Sequence, residues 1–273
     1  MNQGTRHFAI VTDTHIVEPG GDLKGHGTNE AAIELVRMLN EEPVPLSGVV
    51  FLGDLSDTVN NPDRYKAVAT ESSYGNGLEI LSDLRLPRLH IPGNHDDPRL
   101  LAEIHPSSWQ SSRDGVSVAR VNDVDFIAID ARTGPEPTGY LRPETIKALD
   151  QALHESRRAV LLSHYPLVDF DSSVINDQLS TINRHELIPL FHRYREKILG
   201  TFHGHLHLWS STLNHAVPTL SVPSASFAFN WDPDKTSPHP TSMQPRGYVV
   251  VSVTTDGSIV VRSRFLPQRK DLC

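Results

Sequence analysis

Short apolar runs separated by amphipathic stretches recur along the chain, the spacing expected of strands alternating with helices in a layered α/β protein. The first run covers residues 8–11 and ends in Thr12-Asp13-Thr14-His15. After a glycine-rich loop at 19–27, Ala31, Ala32, Leu35, Val36 and Leu39 share one helical face, with Thr28 placed to cap its start. Residues 48–52 form a second buried run that stops at Gly53-Asp54, and mixed loop and helix fill 61–84. The stretch LPRLHIPGNHDD (86–97) carries a third strand, ending at Gly93-Asn94-His95. Residues 124–129 and 159–162 read as further strands, the latter leading into Ser163-His164. Pro143 suits the first turn of a helix over RPETIKALDQALHE (142–155), where its missing N–H has no partner to lose. Another helix over 184–195 precedes a strand at 198–202 and the run FHGHLHLW (202–209).

Beyond that run the pattern turns all-β, with strands at 219–222, 248–254 and 258–265. Thr255-Asp256-Gly257 joins the last two, and an Asp-Gly pair suits a tight hairpin. No internal repeat or composition break divides the chain. A single domain over 1–273 is expected, with 208–273 as its β-rich end. Residues 230–246 (NWDPDKTSPHPTSMQPR), rich in proline and serine, read as a long loop.

Charge and composition narrow the chemistry. A formal net charge of -8 removes the basic surface that a duplex DNA or RNA binder needs, so no duplex nucleic acid is expected as partner. A small anionic substrate stays possible, because a bound metal reverses the local sign. The single cysteine, Cys273, allows neither an internal disulfide nor a thiolate cluster. The start, MNQGTRHFAIVTDTH, lacks the apolar stretch of a signal peptide, and no apolar run approaches the roughly 20 residues of a membrane span. A cytoplasmic location is the expectation, and homo-oligomerisation is left open. The compositional signal is the 15 histidines, since histidine is the commonest metal ligand and the usual acid or base near neutral pH.

Five polar clusters each follow a run of strand length: DTH (13–15), GDLSD (53–57), GNHD (93–96), SHYP (163–166) and GHLH (204–207). Strand C-terminal ends gather at one edge of an α/β sheet, so clusters far apart in sequence can meet in one pocket. Together they offer Asp13, His15, Asp54, Asn94, His164, His205 and His207. Seven oxygen and nitrogen donors are too many for one tetrahedral zinc and suit two ions that share a carboxylate. Imidazole, carboxylate and amide together favour Mn, Fe, Zn or Co over Ca or Mg. Gly53, Gly93 and Gly204 precede proposed ligands, where the backbone must turn sharply or approach closely.

The ordered set DxH…GDxxD…GNHD…H…GHxH, spanning 13–207, resembles the calcineurin-like metallophosphoesterase superfamily. The tail, VPSASFAF (222–229) followed by RGYVVVSVTTDGSIVVRSRFL, is similar to the close of bacterial class III cyclic-nucleotide phosphodiesterases and related glycerophosphodiesterases. The resemblance implies a four-layer αββα sandwich, two mixed β-sheets face to face with helices outside. It also implies two divalent or trivalent transition metal ions, Mn, Fe or Zn. One would take Asp13, His15 and His207, the other Asn94, His164 and His205, with Asp54 bridging. His95 would sit near the phosphoryl group without binding metal, and Asp57 would be its carboxylate partner.

Other conspicuous residues receive plainer assignments. His203 and His90 read as packed strand residues, His154 as solvated, and Tyr165 and Pro166 as shaping the turn after His164. His26 lies in the loop that can overhang the pocket. Tyr74, Trp109 and Trp231 fall in loop-like stretches, as packing or as a cover for the site. Three functions fit this set. The first is a dinuclear phosphodiesterase acting on a small soluble diester, a 3′,5′-cyclic nucleotide or a glycerophosphodiester. The second is a phosphomonoesterase, a nucleotidase or phosphoprotein phosphatase, on the same metal core. The third is a scaffold that has lost catalysis, disfavoured because every ligand is retained.

Overall fold

The computed structural model describes residues 4–59, 68–107, 109–214, 217–230, 239–241 and 244–267. The apolar runs become strands that are buried on both faces, as continuous rather than alternating hydrophobicity requires. They form two mixed sheets. One contains β1 (Arg6–Val11), β2 (Leu46–Phe51), β3 (Arg88–His90), β13 (Gly247–Val253) and β14 (Ile259–Phe265), in the order β14-β13-β1-β2-β3. The other contains β4 (Ser111–Arg113), β5 (Val116–Val121), β6 (Val124–Ile129), β7 (Ala159–Ser163), β8 (Ile198–His203), β9 (Ser210–Asn214) and β10 (Val217–Ser221), in the order β4-β5-β6-β7-β8-β10-β9. A short ribbon pairs β11 (Ala228–Asn230) with β12 (His239–Thr241).

Alternation along each strand divides the core into three layers. Ile10, Val50, Leu52, Val249 and Val251 meet Phe126, Ala128, Val160, Leu162 and Phe202 between the sheets. There Phe8 and Phe126 stack edge to face at 5.2 Å. The opposite faces, such as Ala9, Val11, Val49 and Phe51, pack on α1 (Thr28–Asn40), α2 (Glu71–Ile80) and α3 (Pro98–Ile104). Ile127, Ile129, Leu161 and Ile198 do the same against α4 (Pro143–Glu155) and α6 (Ile188–Tyr194), while the short α5 (Ser173–Gln178) lies between these two in sequence. Each fully buried Leu, Ile, Val or Phe contributes about 1.5–3 kcal/mol, so the layers fix which face each strand turns inward. The expected four-layer αββα sandwich is the observed architecture.

β1, β2 and β3 run parallel to one another, as do β7 and β8. Parallel strands end on the same edge, which brings all five polar clusters to one rim. Regular geometry in β8 stops at His203, just before Gly204.

Several local expectations are corrected. Thr28 does not cap α1: Gly27 occupies the cap position with φ 52°, and the Thr28 hydroxyl is buried without a partner. The helix expected over 184–195 divides into a 3₁₀ turn (Arg184–Leu187) and α6, because Pro189 has no N–H for a continuous α-helical ladder and its ring crowds the preceding turn. The segment 239–241, expected as loop, pairs as β12, where a two-stranded ribbon tolerates Pro240. The rest of the expected 230–246 loop lies largely outside the described residues, as do Trp231 and Cys273. Tyr74 belongs to α2, is fully buried and donates its hydroxyl to Asp96 at 2.9 Å, so it does not cover the site. Trp109 packs against the inter-sheet core and donates its indole N–H to the His90 carbonyl at 3.0 Å.

Candidate metal centre

The turns after β1 and β2 are zipped together by backbone bonds from Asp13 to Gly53, His15 to Asp54 and Ile16 to Leu55. This places Asp13, His15 and Asp54 side by side. The turn after β8 joins them through the His205 N–H, which donates to Asp13 Oδ2 at 3.0 Å, and it meets the turn after β7 where the Gly204 N–H donates to the His164 carbonyl at 3.0 Å. Asp13, His15, Asp54, His205 and His207 all adopt positive φ, between 45° and 68°. Left-handed backbone in non-glycine residues costs on the order of 1–3 kcal/mol each and clusters where function requires it. Asp and His are among the residues that tolerate it best. Here the left-handed turns set the directions of five side chains that converge on one centre.

Close approach explains two of the glycines. A Cβ at Gly93 would collide with the Asp54 carboxylate and amide nitrogen, and one at Gly204 would collide with the Thr12 hydroxyl. Gly93→Ala is therefore expected to cost about 1–3 kcal/mol through overpacking and to weaken metal retention. Thermal unfolding with and without added Mn²⁺ checks this; an unchanged midpoint in both conditions contradicts it.

All seven donors converge, and they fall into two sets. In one, ligand atoms of Asp13, His15 and His207 lie within 4.8 Å of one another; in the other, those of Asp54, His164 and His205 do. Asn94 joins the second set, with its Oδ1 3.2 Å from His164 Nε2. Asp54 lies between the sets, its Oδ2 being 3.3 Å from His164 Nε2 and 3.7 Å from His15 Nε2. Except for His205 at 9%, these side chains are almost entirely shielded from solvent.

Each histidine is oriented by a bond from its other ring nitrogen. His15 Nδ1 lies 3.0 Å from Asp57 Oδ2, His164 Nδ1 2.7 Å from the Leu52 carbonyl, and His207 Nδ1 2.8 Å from the Phe227 carbonyl. His205 uses Nε2, 2.8 Å from the Pro137 carbonyl. Partners of this kind fix the tautomer and raise the basicity of the free nitrogen. The Asp13 carboxylate accepts from Thr12 Oγ1 at 2.8 Å and from the His205 N–H at 3.0 Å, while Ser224 and Ser226 hold its backbone carbonyl.

The residues fit a pair of cations. With both Nδ1 atoms committed, His15 and His207 point two Nε2 lone pairs at each other across 3.0 Å. His164 Nε2 likewise faces two oxygens that only accept. Acceptors this close repel unless positive charge lies among them. Metal–ligand bonds of about 2.0–2.2 Å would separate neighbouring ligand atoms by roughly 3.0–3.4 Å, close to the spacings observed. The titration pattern agrees. Burial and the neighbouring imidazoles hold His205 neutral, its pKa lowered to about 3, and push His207 down as well. Burial opposes charge on His164 too, yet the Asp54 carboxylate overcomes it and raises that imidazole to about 9. The centre recruits positive charge, as a proton or as a cation.

His95 stands beside this cluster at 15% side-chain exposure. Its N–H donates to Asp54 Oδ1 at 2.9 Å. Its Nδ1 lies 3.2 Å from Asp57 Oδ1, an ion-pair contact without the geometry of a directed hydrogen bond. Burial disfavours the imidazolium, but Asp54 and Asp57 outweigh it and raise the pKa to about 9. Asp57 thus serves two rings at once, His15 through Oδ2 and His95 through Oδ1.

His203 turns away: it is buried, its Nδ1 meets the Gly204 carbonyl, and it packs edge-on against Phe170. His26 stacks on Phe227 at 4.4 Å, and Phe227 in turn contacts His15 and His207. Tyr165 packs against His164 and His205, 5.0 Å from each. Sequence reasoning missed Asp96, although it stands in the GNHD motif. Buried completely, it accepts from the Gly93 N–H at 2.9 Å and from Tyr74, holding the turn that carries Asn94 and His95. The carbonyls of Leu52, Pro137 and Phe227 were also missed, because a backbone acceptor leaves no residue-type signal.

The profile of the calcineurin-like phosphoesterase family matches residues 6–209, from β1 to just beyond His207. Over 263 residues the chain is 25% identical to a 3′,5′-cyclic-nucleotide phosphodiesterase of Nostoc sp., covering 95% of this chain and 92% of that protein. Over 240 residues it is 24% identical to a glycerophosphodiester phosphodiesterase of Enterobacter lignolyticus, with 85% and 82% covered. The fold is shared with a purple acid phosphatase from yellow lupin seeds, at TM-score 0.65 and 14% identity over 96% of this chain. The chain spans about half the length of that phosphatase, 51%.

Proposed function

The chain belongs to the calcineurin-like phosphoesterase family, and from that premise we propose a dinuclear phosphodiesterase acting on small phosphodiesters. It is a metal-dependent phosphoester hydrolase. The observation that carries the reading is the division of one buried cluster into two donor sets with Asp54 between them. Asp13, His15 and His207 would hold one ion, and Asn94, His164 and His205 the other, with Asp54 placed between the two sets. The donor types favour Mn, Fe or Zn. A 3′,5′-cyclic nucleotide is the first substrate class and a glycerophosphodiester the second, which the names of the Nostoc and Enterobacter relatives support. We read the chain as one domain, since β13 lies between β1 and β14 in the same sheet. No helix among the described residues is long and apolar enough to cross a membrane, and a cytoplasmic location is part of this proposal.

When bound, the ions supply Lewis-acid polarisation of the phosphoryl oxygens and lower the pKa of a water to about 7. The chain's own residues do the rest. Asp13, Asp54 and the four oriented histidines set the charge and spacing of the centre. Tyr165 and Phe227 pack against its imidazoles and keep bulk water from the ligand side. Asp54 and Asp57 favour the protonated form of His95, and with Nδ1 facing Asp57 at 3.2 Å, Nε2 is the nitrogen that would donate. From there it would give its proton to the leaving oxygen as the ester P–O bond breaks and the oxygen of a water bonds to phosphorus in its place.

Full metal removal by chelation should abolish turnover of bis(p-nitrophenyl) phosphate, and added Mn²⁺ should restore it. Turnover that survives verified metal removal contradicts the mechanism. A higher kcat/KM on p-nitrophenyl phosphate or phosphopeptides than on the diester would overturn the substrate class.

A further inference from the structure

Carboxylates crowd the centre, Asp13, Asp54, Asp57 and Asp96 among them, and the guanidinium of Arg132 stands close by. Arg132 follows β6 on the segment whose Pro137 carbonyl meets His205, so it stands beside the Asn94, His164 and His205 set. Two bonds fix the residue. Its backbone N–H donates to Asp130 Oδ1 at 2.9 Å, and its Nε donates to the Gly93 carbonyl at 2.9 Å, immediately before Asn94. The side chain is half-buried, yet Nη1 and Nη2 have no protein partner among the described residues.

A guanidinium held at Nε but left open at both Nη groups has lost much of its freedom without using its strongest donors. Those donors form a planar fork that matches two oxygens of a phosphoryl group. Ordering a charged side chain in this way costs entropy that the single bond to Gly93 only partly offsets. We propose that Arg132 is a substrate-binding residue that grips a non-bridging oxygen of the phosphodiester and then the phosphate-bearing product. This rests on the phosphoester-hydrolase reading of the centre and adds the group that draws an anion towards a centre rich in carboxylates. Because the same fork meets substrate and transition state, its main effect falls on KM rather than on kcat.

The test uses the Mn²⁺-loaded full chain as wild type, Arg132→Ala and Arg132→Lys. Three readouts are taken: kinetics on bis(p-nitrophenyl) phosphate, calorimetric titration with inorganic phosphate, and metal content per chain. In Arg132→Ala, KM and the phosphate Kd should both rise about ten- to a hundredfold, the range for hydrogen bonds to a charged group. kcat should move far less, two metals should be retained, and Arg132→Lys should recover part of the phosphate affinity. Unchanged phosphate affinity in Arg132→Ala overturns the proposal. So does a loss of affinity that simply tracks lost metal, since Arg132 would then act only as a tether for the Gly93 turn. The two readings fail separately. A wild type that binds phosphate through Arg132 but hydrolyses no diester refutes the phosphodiesterase and supports this inference. An active wild type matched by Arg132→Ala in KM and phosphate affinity refutes this inference alone.

Discussion

Asp54→Asn is expected to lower kcat/KM by roughly a thousandfold or more, about 4 kcal/mol of transition-state stabilisation, and to reduce bound metal from two ions per chain towards one. Asn keeps the shape of the side chain and an oxygen for the His95 N–H. It also tolerates the left-handed backbone found at position 54, where φ is 50°. What it removes is the negative charge placed between His164 and His15 at 3.3 and 3.7 Å. Folding should survive, so the loss can be assigned to the centre. Elemental analysis beside steady-state kinetics checks the prediction. A variant with two ions and wild-type turnover would remove Asp54 from its bridging position.

His95→Asn should retain both ions and still lose about 10²–10⁴-fold in kcat, the usual contribution of a positioned acid. The proposed ligand sets leave the ring out: its Nδ1 faces Asp57, and its tie to Asp54 is through the backbone N–H, which the substitution leaves in place. The loss should depend on the leaving group. A p-nitrophenolate departs with little need of a proton, whereas the alkoxide of a cyclic nucleotide or a glycerophosphodiester requires one. The deficit should therefore be smaller on bis(p-nitrophenyl) phosphate than on the natural class of diester. An equal, small loss on both, or loss of metal, would mean that His95 positions the turn rather than donating a proton.

Both predictions begin from residues that were legible as letters. The continuous apolar runs that became β1, β2, β6 and β7 declare strands buried on both faces. The polar clusters after them declare where chemistry begins. Ala31, Leu35 and Leu39 mark the buried face of α1 by spacing alone. Where the signal was weak, the reading failed for identifiable reasons. Tyr74 lies in a stretch with little helical periodicity, yet a capping box between Thr70 and Ser73 starts α2 and buries the ring against Asp96. Thr28 has the side chain of a cap, but the left-handed Gly27 takes that position. Arg132 carries no motif at all, and its interest comes from contacts with residues far away in sequence.

The sequence by itself determined the layered α/β class, and it singled out the seven candidate donors and the packed position of His203. These follow from local periodicity and residue chemistry, both written over a few neighbouring positions. Only the tertiary structure shows which of these side chains stand side by side. That depends on β1 lying between β2 and β13, and on β7 beside β8, so that distant turns zip together. Such pairings are set by burying complementary faces across the whole chain, information that no short window contains. The left-handed turns at Asp13, His15, Asp54, His205 and His207 belong to the same level, because strain of this kind persists only where surrounding contacts hold it.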